Sequence, residues 1–204
     1  MVVLGRCRRT LVCCLFLFLF LFLFLFLFLF LFLFLALAGW PLTTSALSAD
    51  EYAIKAAYLY NFAKFVEWPP TAFATPDDSL LICVIGNNPF GDALTNLRGK
   101  LVGHHPVTVQ ELSSPADAPG CHIVFIARSQ QLRLKSLLTT LGSRPILTVS
   151  DIENFTQVGG IIGLTEVEQR IQFVINTAAV RRAGLTVSSQ LLKLATVIDG
   201  NGGL

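Results

Sequence analysis

From Leu11 to Ala38 the chain is wholly apolar, and from Leu15 to Leu35 leucine and phenylalanine alternate without a break. As a helix this run is about 40 Å long at 1.5 Å per residue, more than the roughly 30 Å hydrocarbon core of a bilayer. Strict alternation also fits a strand with Leu on one face and Phe on the other. A lone strand in lipid leaves its backbone groups unpaired, so the pattern predicts an inserted helix. Arg6, Arg8 and Arg9 precede the run, and Asp50 and Glu51 lie beyond it. That asymmetry keeps the N-terminus cytoplasmic and exports the rest. Basic residues, an apolar core and small residues make a secretory signal. Candidate cleavage sites are Ala36-Leu37-Ala38 before Gly39 and Ala46-Leu47-Ser48 before Ala49. The core is longer than in ordinary signals, so residues 1–38 are read as a signal peptide or a retained signal anchor. Residues 39–49 then form a polar linker, 50–198 the exported domain and 199–204 a flexible tail.

The exported part changes its periodicity. Asp50 and Glu51 suit a helix first turn. Ile54, Ala57, Tyr58, Phe62 and Phe65 follow at helical spacing, with Lys55 and Lys64 as polar positions. Trp68-Pro69-Pro70 ends the helix. Residues 80–86 form a continuous apolar run closed by glycine, which reads as a buried strand. A short helix over 92–97, strands over 107–112 and 122–127, a helix over 130–141 and a strand over 146–149 come next. Residues 161–164 and 170–175 pattern as a hairpin. A helical turn over 177–182 and a last helix capped by Ser188 or Ser189 complete the chain. Strands alternating with helices predict an α/β fold. The expected architecture is a mostly parallel sheet flanked by helices, three-layered and Rossmann-like, with a C-terminal antiparallel hairpin.

Composition sharpens this picture once the apolar run is set aside. From Asp50 onward there are twelve Lys/Arg and thirteen Asp/Glu, and no basic run points to nucleic acid. Cys7, Cys13 and Cys14 lie in or before the apolar run, which leaves Cys83 and Cys121 in the exported part. An even count in an oxidising compartment favours one disulfide, with two buried thiols as the alternative. If the two lie on neighbouring strands about 4.8 Å apart, they fall within the Cα span of about 4.4–6.8 Å that a disulfide needs.

Candidate chemistry is sparse. The segment from Cys83 through Gly86 to Pro89-Phe90-Gly91 has the strand, glycine turn and helix of a nucleotide-binding unit. It lacks the Gly-x-Gly-x-x-Gly and Gly-Lys-Ser/Thr patterns, so a simple turn is expected. Ser150-Asp151 follows a strand where a parallel sheet offers its ligand crevice, and serves equally as a cap for 152–155. Asn87, Ser150 and Asp151 are the candidate crevice residues. His104 and His105 are adjacent and point to opposite faces of a strand, as do Cys121 and His122, so neither pair converges on a metal or a nucleophile. No cofactor, metal site or catalytic set is expected.

Lys55-Ala56-Ala57-Tyr58-Leu59-Tyr60-Asn61-Phe62-Ala63-Lys64-Phe65-Val66-Glu67-Trp68-Pro69 resembles the opening motif of the YfiR/HmsC family of exported proteins. Cys83-Val84-Ile85-Gly86 with Pro89-Phe90-Gly91, Cys121-His122-Ile123 and Leu147-Thr148-Val149-Ser150-Asp151 resemble its middle. Phe173-Val174-Ile175-Asn176, Arg181-Arg182-Ala183-Gly184-Leu185 and Ser188-Ser189-Gln190-Leu191-Leu192 resemble its end. The ordered succession covers about Tyr52 to Val197. The resemblance implies a non-catalytic periplasmic regulator that binds the periplasmic part of a membrane signalling protein. That partner would be a membrane-bound diguanylate cyclase or another membrane sensor, held inactive so that cyclic-di-GMP and biofilm output fall. It also implies a homodimer, and Cys83 and Cys121 match the family's first disulfide pair. A second, more C-terminal pair has no counterpart, since no cysteine follows Cys121. Phe173, Ile175, Leu185, Leu191 and Leu192 are candidates for the partner surface. The alternative reading is a periplasmic small-ligand binding module.

Overall fold

The computed structural model describes residues 3–38, 45–75, 77–168 and 170–200, with side chains for 16–34 and from residue 51 onward. Residues 39–44 of the expected linker and 201–204 of the tail lie outside the described residues. The chain divides into two compact units, one ending at Thr44 and one beginning at Ser45. The first contains helix α1 (Val3–Ala38), whose Phe16–Phe34 stretch is long and apolar enough to cross a membrane. Every large side chain along that stretch is exposed.

The second unit opens with α2 (Ser45–Phe65). The helix starts five residues before Asp50, so residues 45–49 are helical and Glu51 sits in its second turn. Its inward stripe is Lys55, Ala56, Leu59, Phe62 and Ala63, all buried, while Ile54 and Ala57 are exposed. The inward face is therefore turned by about one residue from the apolar pattern, because a lysine lies inside it.

Eight strands make one sheet in the order β10-β8-β7-β6-β5-β2-β4-β3. β2 (Leu80–Ile85), β4 (His105–Leu112), β5 (Ile123–Ile126), β6 (Leu147–Ser150) and β7 (Ile162–Val167) run parallel. β8 (Arg170–Asn176) pairs antiparallel with β7, and β10 (Thr196–Ile198) pairs parallel with β8. β3 (Leu101–Val102) runs antiparallel to β4 on the far edge. A separate two-stranded ladder joins β1 (Val66–Glu67) to β9 (Thr186–Val187). The helices between strands are α3 (Asp92–Thr95), α4 (Leu134–Leu141), α5 (Thr177–Arg182) and α6 (Ser189–Leu194). β10 was not expected from the sequence, whose pattern assigns no element to residues 196–198.

Side chains alternate across the pleat, so each central strand feeds two cores. Leu80, Ile82, Val84, Ile123 and Phe125 pack with Leu59 and Phe62 of α2. Cys83, Ile85, Val124 and Ile126 pack with Leu134, Leu137 and Leu141 of α4. Burial on both faces explains why these strands read as unbroken apolar runs. Between β6 and β7 the chain tucks Phe155 into the second core, and a Cβ on Gly160 would lie 2.2 Å from its ring. Only glycine fits there. Asn176 is fully buried and caps α5 through the Ala179 N–H, while its amide donates to the Thr156 and Gly200 carbonyls.

Cys83 and Cys121 are disulfide-bonded, with Cα atoms 6.0 Å apart. Cys83 lies within β2, but Cys121 precedes β5 by two residues, in a turn closed by its N–H to the Ala118 carbonyl. The bridge thus pins a loop to the sheet rather than joining two strand residues side by side. Closing 38 residues of separation restricts the unfolded chain. Cys83→Ser is expected to remove about 3–4 kcal/mol of stability on the chain-entropy account and to lower the melting temperature of the oxidised protein. Two titratable free thiols among the exported cysteines, or an unshifted melting temperature, would contradict this.

Candidate functional site

The strands β2, β5 and β6 end side by side, and the chain after each supplies polar groups. After β2, Gly86 adopts φ +97°, and a Cβ there would come within 2.5 Å of Ser129 Oγ. The Asn87 N–H donates to that same hydroxyl at 2.9 Å, so the turn is stitched to the 3-10 segment Arg128–Arg133. The Asn87 side chain is exposed. After β6, the buried Ser150 hydroxyl donates to the Ile126 carbonyl at 2.7 Å and accepts from the Ile152 N–H at 3.0 Å. It is spent on holding the chain turn.

Asp151 is the centre of charge. Its Oδ2 accepts from Lys55 Nζ at 2.5 Å and from the Tyr52 hydroxyl at 2.8 Å, and Arg128 Nε lies 3.1 Å away. Glu51, one turn before Lys55 on α2, pairs with the same ammonium. Lys55 also lies 4.2 Å from the centre of the Tyr52 ring. The Lys55 and Asp151 side chains are almost wholly buried, whereas most of Arg128 is in solvent. Burial, and then the hydrogen bond to Asp151, push the Tyr52 hydroxyl well above its ordinary pKa. It stays a donor at any physiological pH. Asp151 Oδ1 is buried without a hydrogen-bond partner.

The structure therefore brings Ser150 and Asp151 into one polar cluster and links Asn87 to it only through Ser129 and its neighbour Arg128. Lys55 and Arg128 were not singled out from the sequence. The Glu51–Lys55 spacing on one helix face was the available signal, but Asp151 lies 96 residues from Lys55 and its approach is a tertiary fact.

At the opposite ends of the strands sits an aromatic cluster. The Phe73 ring stacks on His105 at 4.0 Å and on His122 at 4.2 Å, one on each face. The Trp68 indole N–H donates to the His122 carbonyl at 3.2 Å. His122 is buried. Its Nδ1 accepts from the Leu81 N–H at 3.1 Å, and its Nε2 faces the Ala72 carbonyl at 3.1 Å. Those partners assign the neutral Nε2–H tautomer. Burial pushes its pKa below the ordinary histidine value. Among the described residues no group of three His, Cys, Asp or Glu side chains gathers for a metal.

The residues expected at a partner surface sit elsewhere. Phe173, Ile175, Leu185 and Leu191 are buried in the first core, and Leu192 is half-buried against it. Phe173 packs at 5.2 Å on Phe62 and at 5.7 Å on Tyr58. Their alternation and helical spacing serve the core, because the sheet and α2 cover that side. The exposed apolar side chains of this region are Leu194 and Val197.

The family model described as YfiR/HmsC-like matches residues 52–196. The chain belongs to the YfiR/HmsC-like family. A solved conserved domain protein from Vibrio cholerae O1 biovar El Tor is similar at 12% identity with a TM-score of 0.45. The alignment covers 72% of this chain and 59% of that one. The match to the YfiR/HmsC-like family runs from Tyr52 at the polar cluster to Thr196 at the start of β10 and includes the disulfide. Membership of this family supports a periplasmic regulatory role in general.

Two expectations follow for this YfiR/HmsC-like domain. Lys55→Met leaves Asp151 buried without its principal cation, and such a break costs about 3–5 kcal/mol. Lys55→Met combined with Asp151→Leu should lose much less. Urea unfolding checks both, and a single variant within about 1 kcal/mol of the parent would be at odds with the buried pair. The second concerns His122, whose folded pKa is depressed while the unfolded imidazole titrates near about 6.5. Unfolding therefore takes up a proton as pH falls below that value, and stability declines until the pH passes the lower folded pKa. Unfolding free energy measured against pH should show this slope, and His122→Gln should flatten it. An unchanged slope in the variant would assign the effect to other groups.

Proposed function

We propose that the exported domain represses a membrane signalling protein, most simply a diguanylate cyclase, by binding its periplasmic part and so lowering cyclic-di-GMP and biofilm output. The observation that carries this reading is the family match over residues 52–196. Two features support it. The Cys83–Cys121 bridge suits an oxidising compartment. The apolar α1 suits export, whether it is removed or kept as an anchor. The domain acts as a homodimer, and the partner surface includes the α6–β10 edge. There Leu194 and Val197 are exposed beside a strand that ends the sheet. An edge strand with exposed apolar residues is a natural template for pairing with another chain.

Affinity purification of the chain from its own membranes, after crosslinking in the intact periplasm, should recover a transmembrane cyclase or sensor. Deleting the gene should raise cellular cyclic-di-GMP, and Leu194→Asp should reproduce part of that rise while leaving the melting temperature intact. Deletion that leaves cyclic-di-GMP and biofilm unchanged, with no membrane protein recovered, would sink the proposal.

A further inference from the structure

The domain also carries an open groove of about 260 Å³ beside α4. It runs along one face of α4, from Lys135 to Gly142, beside the chain that turns into β7 and the end of α5. Leu138 and Val158 give it an apolar lining, and Val158 is 40% exposed. Gly142 and Gly159 place bare backbone at its wall, with φ of +62° and +107°. Two cations line it, Lys135 from α4 and Arg182 from α5. Arg144 lines a small adjoining cavity of about 30 Å³ that shares Leu138 and Arg182 with the groove. Among the described residues no acidic side chain lines either space.

Three cations thus border the two spaces, Lys135, Arg182 and Arg144. None of the three forms an ion pair among the described residues, whereas Arg181 next door is spent on Asp199 at 2.6 Å. Nor is Arg182 needed to cap α5, because the N–H groups of Ala183, Gly184 and Leu185 already take the carbonyls of Ala179, Arg181 and Val180. Like charges gathered in one recess repel each other and favour an anion between them. The volume falls just below the roughly 300–1,000 Å³ of sites for drug-sized ligands, so the occupant is small. We propose that this groove binds a small amphipathic organic anion, a carboxylate or phosphate carried on an apolar body. Arg182 and Lys135 hold the charge, and Leu138 and Val158 hold the body. The site is separate from the α6–β10 edge, and ligand binding is read directly, so its failure would leave the partner reading untouched.

The full chain in detergent is titrated with naphthoate, naphthyl phosphate and uncharged naphthamide, and its melting temperature followed. A saturable rise with either anion, and none with naphthamide, is expected; the better anion identifies the headgroup. Lys135→Gln with Arg182→Gln should weaken binding by about tenfold or more and leave the unliganded melting temperature unchanged, since both side chains are exposed. Should that variant melt low, Val158→Glu sets a carboxylate at the groove and must abolish anion binding. Equal stabilisation by naphthamide, no saturable effect of either anion, or undiminished binding in these variants would overturn the proposal.

Discussion

The contact between Lys55 and Asp151 fixes how the first helix of the domain meets the sheet. A lysine 1% exposed has given up its hydration, a cost of several kcal/mol that only a close counter-charge and further hydrogen bonds recover. Asp151 supplies the charge, Tyr52 and Arg128 complete its Oδ2, and Glu51 shares the ammonium. Such a pair contributes little net stability beside a well-packed apolar substitute. Its consequence here is geometric. Only one rotation of α2 brings Lys55 to the end of β6, and that rotation sends Leu59, Phe62 and Ala63 into the core. Phe62 then meets Phe173, so the C-terminal strands are positioned by the same choice.

The segment at Cys121-His122 is a second fixed point, held from both faces of the sheet. Adjacent residues of extended chain point to opposite sides. Cys121 is tied to β2 within one core, while His122 holds the Leu81 N–H and stacks on Phe73. One depends on redox compartment and the other on pH, yet both restrain the same few residues before β5. The bridge is of the kind that forms in an oxidising compartment, and an apolar N-terminal helix of this kind is consistent with a signal sequence.

Much of this was legible in the sequence, and the failures have physical causes. Runs such as Leu80 to Ile85 and Ile123 to Ile126 declare themselves because burial on both faces leaves no polar interruption. The face of α2 was displaced by one position because a lysine scores as polar, and its partner is remote in the chain. β10 escaped notice because three residues have no period of their own, and their strand state is conferred by β8. Phe173, Ile175, Leu185 and Leu191 were equally visible as apolar positions. Apolar spacing reports that a side chain is hidden, not which surface hides it.

The sheet also departs from the usual parallel α/β arrangement, in which ligands sit beyond the carboxyl ends of the strands. Here those ends are closed by the protein's own groups. Ser129 occupies the Gly86 turn, Ser150 is consumed by neighbouring backbone, and Asp151 Oδ2 is claimed by two cations and a phenol. Among the described residues, Asp151 Oδ1 is buried there without a hydrogen-bond partner. Positive charge without an ion-pair partner among the described residues and open apolar volume coincide instead beside α4, around Arg182 and Val158.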